Sequence, residues 1–554
     1  MSLMSALYRG VSGIQTSQNA LNTTAHNLAN TDTTGYTRQQ VSQGDMTYLK
    51  FDEGATSPKQ TGLGVDIMQV RAVRDYFLDL QYRSSNGKSS YYSTNSEVIT
   101  EINTLFGELE GEEFQTSLQE LKNAFIELAK NSTDATNENT VITKAQEFLT
   151  RAQDIYNGIS DYQDNLNEQI VDQVEAINEY AQQIHDLNIQ IATAEAGGIE
   201  TANDLRDKRD LILDELSSYG KVEYTEDAFK YVTVLFEGET LVNHGFVNEM
   251  EAVIEDDDVS TGFYTVRWKS YDMDVYDGTA GNAKQGTDKG SLRALIEARG
   301  TKRGTFADLD AYSYEDDDGV TQSGTASENF ENVDSSSLAS VQALLDNLVN
   351  GIVTKINTLL NHTEDDDVTV SQYDENGDAL DTGTYLSSAG VYYYDLFLPI
   401  DSSETDYHGQ DITYTCSNLK INKILLEQPT KINNGFVSEK NMADTDQDTA
   451  DALAAIFTDE YETLTPDTLT PLTFSDYYIG IVNAYSDLGA IYKNMSESAD
   501  VELDNVEAAR QSVAGVSDSE ELTKMIRYQN AYNASSRYFN VVNDMLENLL
   551  TQLA

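Results

Sequence analysis

Apolar residues at the start of the chain recur at alternating spacings of three and four: Met4, Leu7, Val11, Ile14, Leu21, Ala25 and Leu28, with Gln18 the one polar residue in step. That rhythm draws one stripe along a helix and predicts that the helix packs lengthwise on another. The stripe stops at Leu28, where Asn30-Thr-Asp-Thr-Thr-Gly35 gathers residue types that bond their own backbone and leave helices. The far end repeats the rhythm through Met525, Tyr528, Tyr532, Ser535, Phe539, Val542, Leu546, Leu549 and Leu553, behind a capping box of Ser517 and Glu520. Chain ends ordinarily fray, so two such ends are expected to pair. The small polar face of the first helix (Ser2, Ser5, Ser12, Ser17, Asn19, Asn22) is expected to let many copies pack side by side, which favours assembly over a simple dimer.

Between the ends, residues 84–193 read as mostly helical, with Val141, Ala145, Phe148, Ala152, Ile155, Ile159, Leu166, Ile170, Val174, Ile177, Ala181 and Ile184 on one face. Gly197-Gly198 ends that run, and NDLRDKRDLILDELSSYG forms a shorter helix closing at Gly220. The period then changes to that of strands in KYVTVLFEGETLV and GFYTVRWKSYDMDVY. Helix returns at GSLRALIEARG and over 337–361, with 301–334 between them a loop; strands return over 364–430, and helices at 447 and from Phe474 to about 510. The fold class is therefore mainly α with β inserts (α+β), an elongated multidomain chain. Residues 1–45 and 515–554 are expected to form an inner domain of paired terminal helices, coiled-coil-like. Residues 70–363 and 431–514 form a helical-bundle body with a β insert at about 221–285, and 364–430 an outer β-rich domain.

Charge narrows the partners. With 94 Asp plus Glu against 35 Lys plus Arg the net charge is −59, which repels phosphate backbones and anionic membrane surfaces and argues against nucleic acid or lipid as a ligand. No run reaches the ~18 apolar residues of a membrane span, and no cleavable signal peptide is visible. The single Cys416 forms no intramolecular disulfide and sits in a strand-like TYTCSN stretch as a structural residue; the five histidines are too scattered for a local metal motif. Acidic runs at 255–258, 315–319, 364–367 and 374–378 read as solvated turns. In the last, Asp374, Asn376 and Asp378 fit a calcium loop, but Ala379 stands where Gly is needed and Tyr385 where Glu is. Asn376-Gly377 suits a hairpin turn instead. No nucleophile elbow, P-loop, zinc-protease or dinucleotide motif occurs, so no catalytic residue, cofactor or metal is expected. His26 reads as a cation at a helix C-terminus.

The stretch LYRGVSGIQTSQNALNTTAHNLANTDTTGYTRQ resembles the N-terminal signature of the bacterial flagellar rod, hook and hook-associated axial proteins, with Asn27, Ala29, Asn30, Thr33, Gly35, Tyr36, Thr37 and Arg38 on matching positions. Thr34 and Asp32 replace the family's frequent Pro and Asn, and both remain turn formers. GVSDSEELTKMIRYQNAYNASSRYF is similar to the family's C-terminal signature. The stretches 203–217, 290–300 and 474–490 resemble a hook-associated junction member rather than the shorter rod and hook proteins. The resemblance implies a structural part with no enzymatic role. Its terminal helices line an axial channel by self-assembly into a tubular ring, the body forms the next shell, and the inserts face outward. It also implies flagellar type III export without signal cleavage, an export chaperone on the C-terminal helix, and hook protein and a second hook-associated junction protein as neighbours, outside the cell at the hook–filament junction. The terminal seams would then bury nothing in a lone subunit and order on assembly. Another axial protein of the family is the nearest alternative. A rod-associated peptidoglycan hydrolase or a coiled-coil adhesin would need an enzyme motif or an anchor that the sequence does not display.

Overall fold

A computed structural model describes residues 3–46, 48–50, 60–107, 114–198, 201–254, 262–276, 281–315, 321–363, 369–374, 378–388, 390–403, 412–436 and 447–553. Helix α1 spans Leu3–Ala29. Two nested antiparallel strand pairs follow: β1 (Gln39–Asp45) with β4 (Val65–Ala72), and β2 (Tyr48–Lys50) with β3 (Gln60–Gly62). This hairpin joins α1 to the body and was not expected. The body is built on α2 (Tyr76–Phe106), α3 (Phe114–Lys130), α4 (Ala135–Glu195) and α5 (Asn203–Leu216). After six short strands come α6 (Ser291–Arg299), α7 (Ala326–Asp334), α8 (Ser337–Asn361), α9 (Lys423–Glu427), α10 (Gln447–Ala455) and α11 (Phe474–Ala514). Helix α12 (Asp518–Leu553) closes the chain.

The 61 residues of α4 make a rod of roughly 90 Å at about 1.5 Å per residue. Its predicted stripe is buried along its whole length, from Val141 to Ile191, in one continuous core with α2, α3, α8 and the N-terminal third of α11. Helix α8 is apolar on nearly every side and sits at the centre of that core. Helix α11 runs antiparallel to α2: Gly489 lies against Ile99, and Asp500 accepts from Ser89 Oγ at 2.5 Å. The predicted β insert is two three-stranded antiparallel sheets. One is β5 (Val222–Glu226), β6 (Val232–Phe236) and β7 (Glu239–Val242); the other is β8 (Met250–Val253), β9 (Thr265–Trp268) and β10 (Met273–Asp274). Both bury alternate residues against α4, Val232, Val234, Phe236 and Trp268 among them.

The 301–334 segment is not a loop. It holds a 3-10 turn at Phe306–Leu309, an antiparallel pair of 312–315 with 321–324, and α7. The start of α7 is fixed by a capping box in which Thr325 and Glu328 each accept the other's backbone N–H. Cys416 is buried as expected, but in a 3-10 turn rather than a strand, because its N–H donates at 2.5 Å to the Asp346 carboxylate of α8. Of the acidic runs, 255–258, 364–367 and most of 315–319 lie outside the described residues. So do Asn376 and Gly377, but the bridge between Tyr373 and Ala379 pairs the chain on either side of them, as a hairpin turn requires.

The 364–430 region forms short antiparallel pairs, 370–371 with 384–387 and 392–394, and 397–399 with 419–421. They are stitched to α8 by amides: Asn357 bonds the backbone of Leu396 and Phe397, and Asn361 donates to Asp395 at 2.7 Å. Burial pushes the Asp395 carboxyl up to about 6, against the lowering effect of its bonds from Asn361 and Tyr385. The folded chain therefore holds this proton across a window where the unfolded chain has released it, and stability falls as pH rises from about 4 to 6. The cost should reach about 3 kcal/mol above that window. Unfolding measured at pH 4.5 and 7 should show this difference in the parent chain and not in Asp395→Asn; equal pH dependence in both would refute it.

Candidate assembly site: the paired terminal helices and the joint beneath them

Helices α1 and α12 pair antiparallel, as the two seams predict, and approach closely. A Cβ on Gly10 would sit 3.1 Å from Phe539 Cβ, and one on Gly13 would sit 2.6 Å from Ser535 Oγ. The face that α1 buries is not its apolar seam. Ser5, Gly10, Ser12, Thr16, Ser17, Ala20, Thr24 and Asn27 are buried, whereas Met4, Val11 and Ala25 are exposed and Leu7, Ile14, Leu21 and Leu28 only half-buried. The small polar face expected to join copies is thus consumed within the chain, partly by α12 and partly by the hairpin, where Ser12 and Thr16 bond the backbone of Val65. A straight helix drifts about 20° per heptad against a 3.5-residue repeat, so a seam continuous in sequence turns progressively across the surface of α1.

On α12 the predicted stripe does face its partner: Val542 is buried and Met525, Tyr528, Tyr532, Phe539 and Leu546 are half-buried. The seams therefore do not wait for assembly to bury surface, contrary to expectation. Leu549 is exposed, and the Leu553 side chain lies outside the described residues. A second set, unread in the sequence, points outward: Leu522, Ile526, Val541 and Met545 are 47–60% exposed. Its signal was a second apolar rhythm offset by one residue from the first. Gly13→Val should separate the pair at a cost of about 1–3 kcal/mol, read as faster hydrogen exchange in α1 and α12 with the body unchanged; unchanged exchange in both helices would contradict the close approach.

The signature residues gather where this pair meets the body. Asn27, 1% exposed, satisfies its whole amide: Nδ2 donates to Gln39 O (2.8 Å) and Glu521 Oε2 (3.1 Å), and Oδ1 accepts from Tyr36 OH (2.7 Å) and Gln39 N (2.9 Å). Asn30 donates to His26 O, and Thr33 Oγ1 donates to Asn30 Oδ1 at 3.1 Å. Ala29, the last residue of α1, is exposed. Gly35 turns the chain at φ +76 with Leu211 of α5 against it, a conformation open to glycine. Thr37 N–H donates to Asp207 at 3.0 Å. Arg38 N–H donates to Ala514 O, and its guanidinium reaches Val513 O and Glu520 Oε2 at 3.3 Å each. Glu520, expected in a capping box, thus reaches across the joint. The Tyr36 hydroxyl is raised by burial and by the charges of Asp204, Asp207 and Glu521, so it stays a donor.

Helix α5 is the body's side of the joint, and all but one charge in its DLRDKRD run has a partner. Asp204 takes His26 (3.3 Å) and Gln39 (2.9 Å), and Asp207 takes Thr37. Arg206 forks onto Glu195 with two 2.8 Å bonds and reaches Glu226; Arg209 reaches Asn188 and Glu226. Asp210 pairs with Arg74 and, at 3.5 Å, with Arg83. Further along, Asp214 accepts from Arg83 (2.7 Å) and Arg510 (2.5 Å), tying α2, α5 and α11 together. Burial pushes the neighbouring Asp79 carboxyl up against the lowering effect of Arg74 and Arg83, and does the same to Asp207 against its bond from Thr37. None of these body residues was singled out from the sequence. Two open cavities flank the joint, about 760 Å³ between the signature turn and Arg510, and about 950 Å³ between α1, β4 and the start of α5.

Among the described residues no cluster of three His, Cys, Asp or Glu could hold a metal ion, and no helix is long and apolar enough to cross a membrane. Residues 99–367 match the flagellar hook-associated protein FlgK helical domain, 7–37 the flagella basal body rod protein, and 510–553 the flagellar basal body rod FlgEFG protein C-terminal family. The flagellar hook-associated protein 1 of Bacillus subtilis is 24% identical over 96% of this chain and 95% of its own. That of Escherichia coli is 24% identical over 99% and 100%. The fold is similar to the flagellar hook junction protein FlgK of Burkholderia pseudomallei, with TM-score 0.52 and 15% identity over 78% of this chain and 100% of that one. Matched at both termini and through the body, and with the signature residues forming the joint between them, the chain belongs to the flagellar hook-associated protein 1 family.

Proposed function

We propose that this chain is a structural subunit of the bacterial flagellum that forms the junction between hook and filament. The observation that carries this reading is the α1–α12 pair. Its contact is made by small residues, so apolar side chains on both helices are left outside, a surface that other subunits must cover. Self-assembly through these helices builds a tubular ring, with the body as the next shell and the acidic inserts outermost. Hook protein adjoins on one side and a second hook-associated junction protein on the other, outside the cell. The chain reaches that place by flagellar type III export, and an export chaperone covers the exposed residues of α12 until assembly. It serves mechanically and carries out no catalysis.

Immunogold electron microscopy on detached flagella, with antibody against 364–430, tests this. Gold confined to the hook–filament boundary is the expected result. Gold along the whole hook or rod, or none on flagella, would overturn the assignment.

A further inference from the structure

We propose that copies of this chain join through an unlike pair of surfaces, in which the outward stripe of α12 from one copy packs on the outward face of α1 from the next. This rests on the self-assembly proposed above and names the surfaces that perform it. On α1 the outward face is Met4, Tyr8 and Val11, 37–62% exposed; on α12 it is Val541 and Met545 with Leu549, 47–56% exposed. Both lie at the same level, at the end of the pair remote from the joint, because Gly10 sits beside Phe539. Two copies standing side by side therefore bring the stripes into contact without sliding.

Charge chooses unlike over like pairing. Residues 1–29 carry Arg9 and no acidic side chain, in a chain whose net charge is −59. Arg9 bonds only its own helix, Nε to Ser5 O at 3.2 Å. The α12 stripe is flanked by Asp544 and Glu547, which have no ion-pair partner among the described residues. Like contacts would set Arg9 against Arg9 or the acids against each other, whereas the unlike contact sets Arg9 beside Asp544 and Glu547. A contact between unlike surfaces leaves a free copy of each at the ends, so it propagates around a ring instead of stopping at two.

The test uses pairs of full-length chains produced together in cells, Tyr8→Cys in one and Ile526→Cys, Val541→Cys or Met545→Cys in the other, all at exposed positions. Cys416 is buried and left in place. Flagella are detached, oxidised and examined both by immunogold and for disulfide-linked dimers. The expected result is gold at the hook–filament boundary with dimers from at least one mixed pair, at Val541 or Met545, and none from any variant alone. Dimers from single variants would show like-with-like contacts and overturn the proposal. Normal gold labelling with no dimers from any pair would also overturn it, while leaving the junction reading in place. Loss of gold from flagella of the parent chain would remove both.

Discussion

Asn27→Ala is expected to release the N-terminal helix from the body. The substitution strands four partners at once in a site that is 1% exposed: the Gln39 N–H and carbonyl, the Tyr36 hydroxyl and the Glu521 carboxylate. Each buried group left unpaired costs about 1–3 kcal/mol, and water entering the gap recovers part of it, so the joint should lose about 3–5 kcal/mol. Hydrogen exchange reads this directly. The amides of α1 and of residues 30–39 should lose protection, while those of α4 and α8, whose core does not touch the site, should keep theirs. Asn27→Asp should do no better, because it removes both donors and sets a second carboxylate beside Glu521. Unchanged protection of α1 in Asn27→Ala would mean that the signature amide is not what holds the turn.

Asp214→Ala should destabilise the body by a similar amount at a different place. Asp214 bridges Arg83, whose side chain is 1% exposed, and Arg510, which also stacks over Tyr82 at 3.9 Å. Without it, Arg83 keeps only the longer contact to Asp210, and Arg510 keeps Glu507. Removing one partner of a buried ion pair costs about 3–5 kcal/mol, mostly from the charge left behind. Calorimetric unfolding should show the body transition lowered. The Arg83→Met/Asp214→Leu double variant should lose less than the sum of its singles, since it takes the stranded charge away with its partner. Additive losses would place the two residues in separate interactions.

The helices of this chain were largely legible because their apolar stripes are long and face one core. The stripe of α4 is buried as read, and the change of period after α5 marked the β insert. Periodicity gave the existence of a stripe on α1 but not which face meets a partner, because glycines and serines that permit close approach carry no apolar signal. The 39–72 hairpin escaped notice because β1 and β4 are nowhere fully buried and their polar residues resemble a loop. In 301–334 the Thr325–Glu328 box was present in the sequence but overshadowed by the acidic run before it. The signature positions could be recognised by resemblance, yet their physical reason could not be seen. The partners of Asn27 come from residues 36, 39 and 521, and those of Asp214 from α2 and α11. No local pattern encodes pairings so far apart in sequence.

The joint is narrow and has open space on two sides, the 760 Å³ cavity by Arg510 and the 950 Å³ groove beside β4. A connection with that cross-section resists being pulled, because its bonds run from α1 and residues 37–39 directly onto α5. It resists bending much less, because nothing solid fills either side. The terminal pair can therefore lean a few degrees toward one cavity or the other without breaking Asn27's bonds, which lie within the lean's pivot. A ring of such subunits could follow a curved axis on one face and a straight one on the other, each subunit taking up its own share of the angle.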